Sequence, residues 1–375
     1  MKKITLLGVG LVGKAIAIDL CDTYEVQAVD IDESRIENLD ASDHITPIVV
    51  DLSDPGQLKR VIRNSDLVIN ALPGYMGTEI LRTIIKEKIN VVDIAFSPED
   101  PFELDDLAKT MNVTAVVDCG IAPGLSNIIM GYYYHQMERV DSFECLVGGL
   151  PREREWPCEY KAVFSPMDVI EEYTRPARYI ENGKEVIRPA LSDPKLIHIN
   201  GIATLESFNT DGLRTLAKTM KVANMKEKTL RYPGHIQLMK ALREIGFFSK
   251  TPISIKDTQI SPLEFTSRIL FPKWKMREDE VDFTYMRVSI NGVKDNVDKK
   301  LVIELYDEFQ PETKITSMAR TTGYTCTAVA RLVIEGKFAR KGICPPEYAG
   351  EVPGLFEEIM TYLGHRKIQL KFTGL

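Results

Sequence analysis

The stretch from Ile4 to Asp30 constrains the fold more than any other part of the chain. Ile4-Thr5-Leu6-Leu7 is a short apolar run, followed at once by Gly8-Val9-Gly10-Leu11-Val12-Gly13, a complete G-x-G-x-x-G. Val12, Ile16 and Leu20 then recur at helical spacing, and Glu25 to Val29 reads as a second strand ending on Asp30. Strand, glycine turn, helix, strand and acid, in that order, are what a dinucleotide-binding unit requires. Gly8 permits the tight turn, Gly10 lets the backbone approach a pyrophosphate, and Gly13 lets the helix pack closely on the strand. The pyrophosphate would rest on unpaired N–H groups at the helix N-terminus. Asp30 lies near the spacing of about 20 residues expected for a carboxylate on the adenine-ribose hydroxyls.

Two other readings compete for the same residues. Lys2-Lys3 before the apolar run, with Ala15-Ile16-Ala17 behind it, imitates a secretory leader, and a glycine loop can also occur without a ligand. The second strand and its terminal acid decide for the dinucleotide unit, and cleavage near Ala17 would delete the first strand. Ile31 and Asp32 add no positive charge beside Asp30, so a ribose 2′-phosphate would meet carboxylates without an arginine. The expected cofactor is therefore NAD rather than NADP.

The same alternation continues. Ser34–Leu39 is a short helix candidate, Ile45–Val50 a strand ending at Asp51, and Asp54-Pro55 a helix start. Asp66–Leu72 is a strand closed by Pro73-Gly74. Met76, Ile80, Leu81, Ile84 and Ile85 form one helical face, Asn90–Ala95 is a strand, Pro98–Met111 a helix, and Val113–Val117 a strand ending at Asp118. Such alternation means crossover connections and a doubly wound, mostly parallel α/β sheet of the Rossmann type. Ligands of such sheets bind outside the carboxyl ends of the strands. Besides Gly8, Gly10, Gly13 and Asp30, the expected cofactor contacts are thus Leu11, Val12, Ile31, Asp51, Leu52, Ala71, Leu72, Pro73 and Asp93.

Beyond Leu125 the pattern changes. Asp141–Leu150, Ile197–Phe208, Asp282–Ile290 and Leu301–Tyr306 read as longer strands, with Asn182-Gly183 and Asn291-Gly292 as hairpin turns. Leu213–Met220 and Ile236–Ile245 read as helices. This predicts a second, α+β domain with an antiparallel sheet. Thr316–Glu335 looks helical again, broken only at Thr322-Gly323-Tyr324, and is expected to return to the first domain. The expected division is 1–124 as dinucleotide-binding domain, 125–315 as substrate domain, and 316–375 as C-terminal helices.

At 375 residues two domains are the natural expectation, and a net charge of −7 argues against nucleic acid or an anionic membrane as partner. No apolar run approaches the roughly 18 residues of a membrane span. Cys21, Cys119, Cys145, Cys158, Cys326 and Cys344 show no C-x-x-C spacing, and the five histidines are dispersed. Reduced thiols in a cytoplasmic protein, with no metal site, are the expectation.

Five segments carry a family resemblance. They are Asp118-Cys119-Gly120-Ile121-Ala122-Pro123-Gly124-Leu125-Ser126-Asn127, Glu172-Tyr173-Thr174-Arg175-Pro176-Ala177, Phe208-Asn209-Thr210-Asp211-Gly212-Leu213-Arg214-Thr215-Leu216, Leu230-Arg231-Tyr232-Pro233-Gly234-His235 and Ser317-Met318-Ala319-Arg320-Thr321-Thr322-Gly323. With the first glycine motif they resemble, in order, the saccharopine dehydrogenase-like family, and most nearly its L-lysine 6-dehydrogenase branch, archaeal members included. The resemblance implies a Rossmann domain with an inserted substrate and dimerisation domain, hence a homodimer. It implies NAD-dependent oxidative deamination of the lysine side-chain amine, giving ammonia and an aldehyde that cyclises onto the α-amine.

That chemistry needs a base for the amine, and Asp93 and Asp118 end strands beside the expected nicotinamide. It needs a cation for the α-carboxylate, for which Arg175, Arg214 and Arg231 are candidates, and an acceptor for the α-amine, Asp211 or Glu206. His235 could relay protons or cap the helix that follows it. Cys119 is read as a pocket wall, with Gly120 and Thr210 beside substrate in the resembling segments. Saccharopine reductases of the family carry an arginine just after a Trp-Ser pair, where it holds a substrate carboxylate. Phe164-Ser165-Pro166-Met167-Asp168 lacks one. The rivals are a saccharopine or carboxyspermidine-type reductase acting on a secondary amine, and an NAD-binding regulator without turnover.

Overall fold

β1 (Lys3–Leu7) is buried on both faces, as a strand inside a parallel sheet must be. In this computed structural model, which describes residues 1–37, 39, 42–277 and 280–374, the chain divides into two units. Met1–Gln136 and Met318–Gln369 make the first, and Met137–Ser317 with Leu370–Leu375 the second.

After β1 the chain alternates through α1 (Leu11–Leu20), β2 (Glu25–Asp30), α2 (Glu33–Glu37), β3 (Ile45–Val49), α3 (Pro55–Ile62), β4 (Leu67–Asn70), α4 (Gly74–Lys86) and β5 (Val91–Asp93). A 3-10 turn at Pro101–Leu104, α5 (Asp105–Thr110), β6 (Thr114–Val116) and α6 (Leu125–Tyr134) follow. Asp54 caps α3 by accepting from the Gly56 N–H at 2.7 Å, with Pro55 in the first turn. The helix expected over Pro98–Met111 starts late, because Asp100 and Pro101 set up the 3-10 turn first. All strands run parallel, in the order β6-β5-β4-β1-β2-β3. The order reverses at β1, whose two neighbours are β2 and β4. That reversal opens the crevice where such sheets bind ligands.

The second unit holds β7 (Arg139–Pro151), α7 (Pro166–Thr174), β8 (Ala177–Glu181), β9 (Lys184–Arg188), β10 (Lys195–Ile199), β11 (Ala203–Asn209), α8 (Leu216–Thr219), β12 (Asn224–Arg231) and α9 (His235–Ile245). A small hairpin, β13 (Ile253–Ile255) with β14 (Thr258–Ile260), precedes α10 (Pro262–Trp274), β15 (Asp282–Lys294) and β16 (Val297–Glu308). The large sheet is mixed, since β12 runs parallel to β7 while its other pairings are antiparallel. Asn182-Gly183, with φ of 50° and 73°, turns β8 into β9 as expected.

Three expectations for this unit need correction. Ile197–Phe208 is a hairpin, because the chain reverses through Asn200 and Gly201, the latter at φ 75°. Asn291-Gly292 is no turn: Gly292 lies inside β15 at a register shift, its Cα facing the Arg139 carbonyl too closely for any side chain. The reversal falls at Asp295-Asn296, both left-handed. The helix over Leu213–Met220 shrinks to α8, since Arg214 takes φ 50° and helical backbone cannot pass through it.

The chain then forms α11 (Ser317–Ile334), β17 (Gly342–Cys344), α12 (Glu347–Glu351), α13 (Leu355–His365) and β18 (Leu370–Thr373). α11 runs unbroken through Thr322-Gly323-Tyr324. Gly323 is there for close packing, since a Cβ would lie 3.3–3.4 Å from Ile16, Ala15 and the Val12 carbonyl of α1. Asp19 of α1 anchors the contact, accepting from Thr327, Tyr362 and Arg366. The tail is not all helix: β17 extends the parallel sheet beside β6, giving seven strands among the described residues, and β18 pairs with β16 in the second unit. Among the described residues no helix is long and apolar enough to cross a membrane.

Candidate active site

Two of the three glycines in the turn make contacts no other residue would allow. Gly8 adopts φ 93°, and a Cβ there would sit 2.6 Å from the Ala71 carbonyl oxygen. A Cβ on Gly13 would lie 2.0 Å from the carbonyl oxygen of Gly8 itself. Around Gly10 a Cβ would meet nothing within 4 Å. Two glycines are thus consumed by folding, while the third leaves open space where backbone meets solvent at the start of α1. Gly10 caps that helix without any side chain. This cradle fits a dinucleotide pyrophosphate, with N–H groups facing outward and no Cβ in the way.

Asp30, 4 % exposed, is the latch of the turn. It accepts from the Val9 N–H at 2.7 Å and from the Asp32 N–H at 3.0 Å. Arg35 of α2 stands 3.5 Å from Asp30 and 3.4 Å from Asp32. The reading of this rim as lacking an arginine is therefore corrected: one is present, delivered by a helix that folds back on the acid. Leu11 and Ile31 are exposed, whereas Leu52 is buried in the core. Asp51 is exposed and its carboxyl is held below the usual value, first by the Ser53 hydroxyl and then by the Ser53 N–H at 2.9 Å.

At the neighbouring strand ends, fully buried Asn70 donates to Asp93 at 3.1 Å, and Asp93 also accepts from the Ala95 N–H at 2.7 Å. The Cys119 N–H donates to the Asp93 carbonyl at 3.0 Å, joining the ends of β5 and β6. Burial raises the Cys119 thiol far above its ordinary value, and the Asp118 and Asp93 carboxylates add to the shift. That thiol is neutral and a wall. Asp118 holds φ 54°, a conformation rare for a residue with a side chain and frequent at functional sites. Gly120 to Gly124 then close a tight loop on which Asn127 acts from α6, accepting from the Gly124 N–H at 3.1 Å and donating to buried Glu347 at 2.9 Å. Thr322 of α11 comes within 3.3 Å of the Cβ position of Gly120. The first unit therefore brings Asp93, Asp118, Cys119 and Gly120 together.

In the second unit Arg231 lies at the centre of a buried polar cluster. Its guanidinium donates to Glu172 at 2.6 Å, to the Tyr173 hydroxyl at 3.3 Å and to the Leu230 carbonyl at 2.9 Å, and stands 4.5 Å over the Tyr160 ring. Burial opposes that charge, but Tyr160, Tyr173 and Glu172 hold the group ionised. His235 is pushed down to about 3, by burial first and then by Arg231, so it is neutral. Its Nδ1 lies 2.7 Å from the Cys158 carbonyl, which can only accept, so Nδ1 carries the proton. Nε2 then accepts from the Tyr173 hydroxyl at 2.9 Å. A fixed chain runs from Glu172 through Arg231 and Tyr173 to His235.

Arg178, not singled out by the sequence, grips Asp211 bidentately at 2.7 and 2.9 Å. Asp211 is therefore committed to an arginine. Arg175 and Arg214 lie close enough to oppose each other: burial first, then Arg214, lowers the Arg175 guanidinium. Thr210 bonds Thr229 at 2.9 Å, and Glu206 accepts from the Gly234 N–H at 3.4 Å. Among the described residues no three His, Cys, Asp or Glu side chains are arranged to hold a metal.

The first unit is thus a Rossmann dinucleotide-binding domain. The family model described as "Saccharopine dehydrogenase NADP binding domain" matches residues 4–116, and "Saccharopine dehydrogenase C-terminal domain" matches 120–368. The chain belongs to the saccharopine dehydrogenase family. A saccharopine dehydrogenase (NADP+, L-glutamate-forming) of Pyricularia oryzae is 27% identical over 219 residues, covering 55% of this chain and 48% of that protein. The chain thus spans about half that relative's length. In fold it is similar to the apo saccharopine dehydrogenase (L-Glu forming) of Saccharomyces cerevisiae, with TM-score 0.78, 18% identity and full coverage of both chains. It is also similar to a homospermidine synthase of Legionella pneumophila solved with NAD, with TM-score 0.67, 12% identity and coverage of 100% and 92%.

Proposed function

We propose that the protein is an NAD-dependent oxidoreductase that deaminates the side-chain amine of L-lysine. The observation that carries this reading is the intact cradle of Gly8, Gly10 and Gly13 beside the strand-end carboxylates Asp93 and Asp118, in a chain of this family. Gly8–Gly13 would hold the pyrophosphate and Asp30 the adenine ribose, while the bound nicotinamide would accept a hydride from the carbon bearing the amine. Asp93 is held by the Ala95 N–H and Asn70, and Asp118 stands just past the end of the next strand, so either carboxylate could take the amine proton. Arg231 is paired with Glu172 at 2.6 Å, and Arg175 lies 3.7 Å from Glu171.

The resulting imine is hydrolysed to ammonia and an aldehyde, which closes onto the α-amine. The same reading makes the protein a homodimer through its second unit. A second reading, cleavage of the secondary amine saccharopine, is favoured by the likeness to the saccharopine dehydrogenase of Pyricularia oryzae. Reduced-cofactor absorbance with NAD and three substrates separates them. Lysine should give steady reduction, while saccharopine and a diamine lacking the carboxylate should give little. Asp93→Asn and Asp118→Asn then assign the base: one of them should lower kcat at least about 100-fold, the lower range for general base catalysis.

A further inference from the structure

The rim around Asp30 carries two carboxylates and one guanidinium. Asp30 is tied to the backbone of Val9 and Asp32. Asp32 accepts from the Ser34 hydroxyl at 2.6 Å and the Ser34 N–H at 3.0 Å, which fixes it as the first turn of α2 begins. Its other carboxylate oxygen lies 3.4 Å from Nε of Arg35, whose terminal nitrogen reaches Asp30 at 3.5 Å. The Arg35 side chain is about half exposed at 53%, and that of Asp32 is 44% exposed. Both contacts are longer than a good charge-assisted hydrogen bond, and exposed pairs of this kind are weak. Arg35 is held, but lightly.

From this geometry we infer that Asp32 sets the cofactor preference by restraining Arg35. With Asp32 present, the rim keeps a net negative charge and its one cation faces the acids, so a ribose with free hydroxyls is preferred. Without Asp32, Arg35 would need only to leave Asp30 to meet a phosphate on the ribose 2′-oxygen. A guanidinium and a phosphate dianion make a bidentate pair far stronger than the contact given up. The preference thus rests on a residue two places beyond the acid ordinarily credited with it. This inference rests on reading the first unit as the nicotinamide dinucleotide site.

Dissociation constants for NAD and NADP, measured by calorimetry on the full chain, test it without turnover. Asp32→Ala should tighten NADP about tenfold or more, the scale of one gained charged hydrogen bond, and change NAD less than about threefold. Arg35→Ala and the double variant complete the cycle. In the Arg35→Ala background the gain from Asp32→Ala should fall to the small part that comes from removing one like charge, and in Asp32→Ala alone it should shrink with added salt. The thermal midpoint should hold for Arg35→Ala, whose side chain is exposed, and fall slightly for Asp32→Ala, which removes the acceptor of the Ser34 N–H and hydroxyl at the start of α2. A gain of the same size without Arg35 overturns the inference, as does an NADP constant unchanged by Asp32→Ala while NAD still binds. Failure of every variant, wild type included, to bind either dinucleotide would instead overturn the cofactor reading and the inference together.

Discussion

The two units build their polar sites by opposite means. In the first, the work is done by backbone: glycines without side chains, N–H groups at a helix start, and carboxylates at strand ends that accept from nearby main chain. In the second, it is done by long side chains buried against one another, with Arg231 enclosed by Glu172, Tyr160 and Tyr173 and latched to neutral His235. A backbone site tolerates little change of shape, and its buried carboxylates Asp30 and Asp93 are met by main-chain N–H groups. A side-chain site carries full charges out of water and depends on every partner being present.

The contrast sets the size of each expected effect. The largest belongs to Arg231. Arg231→Leu leaves Glu172, 17% exposed, without its closest cation, and breaking such a largely buried pair should cost up to about 3 kcal/mol in denaturant unfolding, the lower end for a fully buried one. Restoration by Glu172→Gln in the same chain would show that the loss is uncompensated charge rather than lost packing. Next comes Gly13→Ala, whose new carbon meets the Gly8 carbonyl oxygen at 2.0 Å. Overpacking of this kind should cost about 1–3 kcal/mol, with NAD binding weakened alongside.

A pH profile follows from His235. Its folded value of about 3 lies below the ordinary 6.5, so the unfolded chain binds the proton more readily. Its contribution is fully present above about 6.5 and is lost as pH falls toward 3. The slope of unfolding free energy between those values should flatten in His235→Gln, provided the hydrogen bond from Tyr173 survives, which near-ultraviolet dichroism would check. The smallest effect on stability is Gly10→Ala: with nothing within 4 Å, unfolding should move by only a few tenths of a kcal/mol, well inside the range of surface changes. NAD affinity should nevertheless fall about tenfold, because the methyl occupies the pyrophosphate's place. Equal losses of stability for Gly10→Ala and Gly13→Ala would break the division of labour assigned to the glycines.

What the sequence disclosed follows the same contrast. The Gly8–Gly13 turn and Asp30 were legible because the motif is local, each part fixed by the turn it must make. The alternating strands were legible because both faces are apolar. Arg35 was missed although it lies five places beyond Asp30, since only the folding back of α2 brings it to the acid. The pairs Arg178–Asp211 and Arg231–Glu172 join residues 33 and 59 positions apart, and nothing in either segment names its partner. Gly323 misled for a related reason: glycine reads as a break, but against α1 it is the residue that lets two helices approach.

The proposed deamination couples NAD, bound at the Gly8–Gly13 turn, to the removal of a primary amine. Ammonia and reduced cofactor, measured together as lysine is consumed, test it most directly. One ammonia is expected for each NAD reduced, with a rate that rises toward alkaline pH as the lysine amine, near 10.4 in its ordinary state, loses its proton. Reduction of NAD by saccharopine without ammonia, and none by lysine up to about pH 10, would contradict it.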